Sequence, residues 1–573
     1  MEHTEDDNGF CTVCKVEIPC AEGITYSLSA DGTYATVTGY SGDASHIKIS
    51  PKYRGAPVTH IGEGAFAGHR FYSINIPDSV THIGDSAFEN CNYIQTVLHG
   101  GGIKYIGNKA FKGCYAMSLT DLPEGLEYIG DHAFYYCQRI EFSVIPDGVT
   151  YIGDYAFAET GYFEVMKIGS GVTHIGEGVF QNCHSLRLVE LPEGLLSIGK
   201  SAFYHCNLVS VTLPDSTVSV GDFAFYENLW MSDAYLGGIS QLGESVFASC
   251  IRLEEISVSD SSTAFSSQDG VLYDKNKETL ILFPEGKSGT GFSIPDGVKV
   301  IADRAFYKAN SIIEIVIPES VEIIGEEAFR ASSSLKRVDI RGAEEIRNNA
   351  FNDCNAITKL TLGEGIVSIG DYAFEDLDSL TSLVIPASVT TIGHGAFMSL
   401  QNLTTLTIVG DNLTEIPDAA FAYCIFLIKV SLPESVETVG NRAFDSCYSL
   451  RTIDLSNVKT IGDRAFYDCQ DLRGGDLRNA KAIGEEAFHD CELITSVILG
   501  EELEAIGAGA FNCFGSLTKI YYCGTAEQWE LLSIGDDNSP LHYTTRRYYY
   551  SESEPAEYGR FWHYDESGNA TVW

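Results

Sequence analysis

The run LTSLVIPASVTTIGHGAFMSL, residues 380–400, holds the pattern that decides the fold. Leu380, Leu383 and Ile385 follow an L-x-x-L-x-L spacing, which turns alternate residues of a short strand toward one side. Pro386 ends that strand because it has no N–H to donate. Val389 and Ile392 then point inward again, and Gly393 is expected to allow a turn that most residues resist. Ala396 and Phe397 fill the outer side of the interior. One such coil cannot bury its apolar face alone, but stacked copies share a core.

The closing phrase, Ile-Gly-x-x-Ala-Phe, recurs along the chain. Its phenylalanine marks nineteen copies, from Phe66 to Phe247 and from Phe306 to Phe511, in steps of 22 to 24 residues within each block. A period in the twenties belongs to leucine-rich repeats. The expected fold is an α/β repeat solenoid: a curved leucine-rich-repeat rod of about 19 coils, with a parallel sheet on its concave face. A cysteine-containing lead segment covers 1–20, and an N-terminal β cap with a hairpin at Asp31 and Gly32 covers 21–60. The first repeat arm runs over 61–258, a β-hairpin insert over 259–291, the second arm over 292–520, and an aromatic-rich cap over 521–573. Within the insert, Val271 to Tyr273 and Thr279 to Phe283 suit two strands joined by a turn.

Of 573 residues, 44% are hydrophobic, enough for a continuous core and against wholesale disorder. The net charge of −42 repels phosphates and anionic headgroups, which argues against nucleic acid and membrane-surface partners. No apolar run is long enough to span a bilayer, and nothing near Met1 reads as a signal peptide. Either the chain stays inside the cell or its signal was trimmed. Metalloprotease, P-loop, nucleophile-elbow and dinucleotide motifs are missing, and the histidines and acids fall on the repeat lattice instead of converging. The expectation is a binding protein, not an enzyme, with no cofactor.

Equivalent residues of stacked coils form columns. Three residues after the marker, cysteine recurs from Cys91 to Cys491; it reads as a buried, reduced packing column, with a redox or metal ladder as the alternative. Three residues before the marker acids recur, such as Asp131, Asp154, Asp371 and Asp463. They suit the capping of a helical turn, or alternatively a calcium ladder. Six residues before it stand His60, His82, Tyr105, Tyr128, Tyr151 and His174, an aromatic column on the flank.

The concave face is the expected binding surface. Its outward strand positions place Leu98, Leu119, Phe142, Val144, Val165 and Leu188 in one exposed apolar stripe. In a shifted register these side chains would belong to the core. The lead segment carries Cys11, Cys14, Cys20 and His3, a weak alternative as a zinc knuckle beside a disulfide or a disordered lead. Trp529, Trp562 and Trp573 in the C-terminal segment suit a cover for the last coil, or, if exposed, a sugar platform.

With the motif of residues 76–88, IPDSVTHIGDSAF, and its kin, the chain resembles the BspA-type leucine-rich-repeat surface proteins of host-associated bacteria. The segments DGVLY (269–273) and WHY (562–564) look like parts seen in that family. The resemblance implies a secreted or surface-attached protein that adheres to extracellular or cell-surface proteins of a host or neighbouring cell, or else a spacer within an envelope assembly. Against it, the chain shows no signal peptide, sorting motif or anchor, so surface display rests on kinship alone.

Overall fold

The computed structural model describes residues 21–573 apart from 290, 514, 545, 557, 558 and 566. The chain forms two compact units. The first runs to Asn276 and includes Pro284–Lys287; the second comprises Lys277–Phe283 and Ser288–Trp573.

In both units most coils contribute two short strands. The first carries the leucine spacing: Ser382–Ile385 pairs in parallel with Thr405–Ile408, Leu383 opposite Leu406. The second follows the proline turn: Thr391–Ile392 pairs in parallel with Ser368–Ile369. A third ladder runs through the marker itself. The Phe374 N–H donates to the Ala396 carbonyl at 2.8 Å, and Phe397 N–H to Ala420 at 2.9 Å. Three inter-coil ladders pair the buried backbone, with no helix within a coil among the described residues. The expected leucine-rich-repeat solenoid is therefore present with almost no helix. Among the described residues the one α-helix is Ala526–Glu530, after the last repeat, opened by a capping box at Thr525.

The core is a stack of marker rings. From Phe66 to Phe247 adjacent rings lie face to face with centroids 5.0 to 5.5 Å apart. From Phe306 to Phe511 the range is 4.6 to 5.5 Å. Phe283 belongs to the second stack. Its ring sits 5.1 Å from Phe306 and its N–H donates to the Ala305 carbonyl at 2.8 Å, so it fills the marker position one coil ahead.

Gly393 has another role than the one expected of it. The positive φ of this turn falls on Gly395 (58°), and in other coils on side chains as large as Tyr155 (54°) and Tyr372 (54°). A Cβ on Gly393 would lie 2.4 Å from the backbone nitrogen of Asp371 in the preceding coil. Close stacking, not turn freedom, favours glycine there, although Ala302, Arg347 and Pro417 occupy the same place in other coils.

The hairpin of the first unit joins Phe265–Gln268 to Val271–Asp274 through Asp269 (φ 51°) and Gly270 (φ 73°), the two positive φ angles of a type I′ turn. Thr279–Leu282, in the second unit, pairs in parallel with Val300–Ile301. Antiparallel strands Ile24–Leu28 and Ala35–Tyr40 are the first strands of the first unit among the described residues. Asn538 closes the third ladder of the second. Its Oδ1 accepts from Phe511 N–H at 3.0 Å, and its Nδ2 donates to the carbonyls of Gly507 (2.8 Å) and Gly535 (2.9 Å). Trp562 is fully buried in the sheet beyond, its Nε1 donating to the Tyr522 carbonyl at 2.9 Å.

Candidate protein-binding surface

First strands present alternate residues away from the core, and that face carries the expected stripe only in part. Leu98, Val144, Val165 and Leu188 are exposed, by 46, 48, 39 and 41%. Val165 pairs with Leu188, whereas Val144 stands opposite Lys167, two residues along the same strand from Val165. Leu98 stands apart from these, opposite Asn75.

Leu119 and Phe142 do not belong to the surface; both are buried. Their coils space the core residues differently. Met117, Leu119 and Leu122, and likewise Ile140, Phe142 and Ile145, follow L-x-L-x-x-L, whereas Phe163, Met166 and Ile168 keep L-x-x-L-x-L; all nine are buried. The ring of Phe142 packs edge-on against Phe134 and Phe157, 6.3 and 5.7 Å away. The altered spacing interrupts pairing: these coils are joined on this face by the single bridges Thr96 to Ser118, Leu119 to Ile140 and Val144 to Lys167. The spacing is visible in the sequence, and an alternation carried over from neighbouring coils hides it.

A second feature, which the sequence reading passed over, lies where the chain enters the first strands of the second unit. An open groove of about 600 Å³ crosses four coils, lined by Thr381, Thr404, Phe426, Ile428, Ser449 and Arg451 among others. Phe426 and Ile428 are exposed by 51 and 37%. Its signal is a break in a column: Thr358, Thr381 and Thr404 are followed by Ile428.

The cysteine column is structural. Each thiol donates to the carbonyl of the marker phenylalanine one coil earlier: Cys91 to Phe66 at 2.9 Å, Cys114 to Phe88 at 3.1 Å, Cys491 to Phe466 at 3.2 Å. Ser332 replaces cysteine with the same bond, to Phe306 at 2.8 Å. The column thiols are free and buried, and burial pushes Cys91 up to about 12 and Cys114 well above the ordinary thiol value.

The acidic column joins coils instead of capping helical turns. Asp131 Oδ1 accepts the N–H of Asp154 at 3.0 Å, Asp154 that of Glu177 at 2.8 Å, and Asp371 that of His394 at 2.7 Å. The reason is the parallel stacking, which brings the next coil's N–H closer than any helical turn of its own. On the flank the aromatic column stacks, with His60 to His82 at 4.5 Å, Tyr105 to Tyr128 at 4.4 Å and Tyr128 to Tyr151 at 4.8 Å. Burial, and then the neighbouring His82, hold His60 below the ordinary imidazole value.

Cys11, Cys14, Cys20 and His3 lie outside the described residues. Among the described residues no three histidine, cysteine or acidic side chains gather as a metal site. Trp529 and Trp562 are buried, and the half-exposed Trp573 lays its ring on His563 at 3.7 Å and donates from Nε1 to the Ser551 carbonyl. Within the described residues no helix is long and apolar enough to cross a membrane.

Comparison with known proteins agrees with this architecture. The profile of the BspA type leucine-rich repeat region matches residues 53–164, 150–270, 283–404, 344–473 and 414–531. Among solved structures, the chain is similar to a leucine-rich cell surface protein from Faecalibacterium prausnitzii (22% identity over 90% of this chain and 97% of that one, TM-score 0.35). It is also similar to a leucine-rich repeat protein from Bacteroides ovatus (22% identity, 92% and 98% covered, TM-score 0.30). A third likeness is to the pneumococcal vaccine antigen PcpA (20% identity, 74% and 94% covered, TM-score 0.34). No curated protein matches the chain. The profile matches span most of the repeat lattice whose strands and marker stack are described above, and the chain belongs to the BspA-type leucine-rich-repeat family.

Proposed function

We propose that this chain is a non-catalytic binding protein, secreted or displayed at a cell surface, that adheres to proteins of a host or neighbouring cell through its first-strand face. The carrying observation is that three successive coils expose Val144, Val165 and Leu188, of which Val165 and Leu188 are direct cross-strand partners. A fold with abundant core positions gains nothing from leaving such residues outside, and contiguous exposed apolar area marks an interface. Family membership supports the reading, since leucine-rich-repeat solenoids present extended binding surfaces.

The test is a binding screen of the purified chain against extracellular-matrix and cell-surface proteins, beside a Val144→Ser/Val165→Ser variant. The expected result is a partner bound by the parent and lost in the variant, with thermal unfolding unchanged. Partners bound equally by both would remove these side chains from the interface. Silence across a broad panel would favour an envelope spacer, whose surface needs no adhesive patch.

A further inference from the structure

The first-strand face of the second unit collects positive charge although the chain as a whole carries −42. Arg337 lies opposite Lys359 in the parallel register, and Lys519 lies opposite Arg546. Lys429 occupies the same column, between Thr405 and Thr452. All five side chains are exposed. Arg337 is ion-paired with Glu314, at the start of the column. Lys359, Lys429, Lys519 and Arg546 have no ion-pair partner among the described residues. Like charges directly opposite on neighbouring strands destabilise a sheet. Two such pairs on one column, in a protein with more than twice as many acids as bases, break a local rule that Glu314 offsets only at the Arg337–Lys359 pair among the described residues. The corresponding column of the first unit has the other sign, Asp233 opposite Glu255.

The groove described above adjoins this column. Ile428 precedes Lys429 in the chain, and Arg451 lines the same groove as Phe426 and Ile428. The occupant therefore has to offer anionic groups to Lys359 and Lys429, and to Arg451 in competition with its ion-pair partner Asp471 (3.4 Å), together with an apolar group for Phe426 and Ile428. A sulfated polysaccharide satisfies the charges but leaves the apolar wall facing polar groups. An acidic polypeptide with interspersed apolar side chains satisfies both.

We propose that the first-strand face of the second unit is a docking track for an extended acidic protein segment, its carboxylates on the Lys359–Lys429–Arg451 side and an apolar side chain seated against Phe426 and Ile428. This rests on the protein-binding reading above and adds the chemical class of partner. Electrostatic complementarity of this kind steers encounter and sets specificity, and it weakens with salt.

The probe is a short fluorescent peptide of alternating glutamate and leucine, with its anisotropy followed on the full chain. Comparison proteins are Lys359→Gln/Lys429→Gln/Arg451→Gln, Phe426→Ala, and the first-unit variant Val144→Ser/Val165→Ser. All substitutions are at exposed positions, and unchanged thermal unfolding verifies the fold. The expected result is saturable binding, weakened about tenfold or more by the triple change and by Phe426→Ala, weakened by salt, unaffected by the first-unit change, and abolished when glutamine replaces glutamate in the peptide. Binding that survives the triple change overturns the proposal. So does tighter binding of a sulfated polysaccharide that ignores Phe426→Ala. If the peptide fails to bind while the screen finds a partner lost in the first-unit variant, this track falls and the broader protein-binding reading stands.

Discussion

Replacing Phe142 by alanine separates the observed register from the alternating one, because the two place the ring on opposite sides of the sheet. In the structure Phe142 is 1% exposed and packs among Phe134, Phe157 and Phe163. An aromatic side chain buries on the order of 150–250 Å², worth about 4–6 kcal/mol at roughly 25 cal/mol per Å². That figure is an upper bound, since the unfolded chain already hides part of the area. Measured losses for buried phenylalanine to alanine run at about 3–5 kcal/mol. Val165→Ser, at a position 39% exposed, should stay within about 0.5 kcal/mol. In a solenoid the loss falls on the coils that touch the cavity and not on the whole chain. A single melting temperature is therefore a blunt readout, and amide hydrogen exchange is the suitable assay. About 3–5 kcal/mol corresponds to exchange faster by roughly two to nearly four orders of magnitude. It should be confined to the coils of Phe134, Phe157 and their immediate neighbours, with coils near Phe466 unchanged. Unchanged exchange in Phe142→Ala with acceleration in Val165→Ser would refute the register and the binding surface together.

Two further perturbations probe the lattice. Gly393→Ala should cost about 1–3 kcal/mol in chemical denaturation, because its Cβ would meet the Asp371 backbone at 2.4 Å and the coils must separate to admit it; a neutral result would mean that coil spacing is adjustable. The column thiols predict alkaline lability. Burial raises Cys91, Cys183, Cys354 and Cys424 to about 12 from an ordinary value near 9, so the unfolded chain loses its thiol protons first. Their contribution is fully present below about pH 9 and is lost as pH rises toward 12, each thiol adding about 1.4 kcal/mol per pH unit to the slope. Denaturation midpoints at rising pH should fall more gently in a Cys354→Ser/Cys424→Ser variant, and equal slopes would remove the thiols as the cause.

How much of this was legible in the sequence depends on whether a residue's role is set within its own coil or by the coil next to it. Within one coil, Leu380, Leu383, Ile385 and Phe397 announce their burial by spacing alone, and all four are buried. Between coils the same letters mislead. Gly393 reads as a turn glycine by its own context, yet what crowds a side chain there is the approach of Asp371 from the preceding coil. Asp371 reads as a cap for its own turn, yet the N–H it accepts belongs to His394 one coil later. Phe283 lacks the Ile-Gly phrase altogether and is identified as a marker only by the ring of Phe306 beside it. The candidate surface follows the same rule. Val165 and Leu188 stand where regular spacing puts them, while Leu119 and Phe142 fall in coils whose core spacing has slipped. The groove beside Phe426 and the opposed cations Arg337 and Lys359 exist only once separate coils are laid in register. Parallel stacking turns a one-dimensional pattern into columns, and a column's chemistry is a sum over coils that no single repeat contains. A binding face made this way can change sign or polarity by one substitution per coil while every core position stays fixed. The contrast between Asp233 opposite Glu255 and Arg337 opposite Lys359 is such a change, carried on an unchanged scaffold.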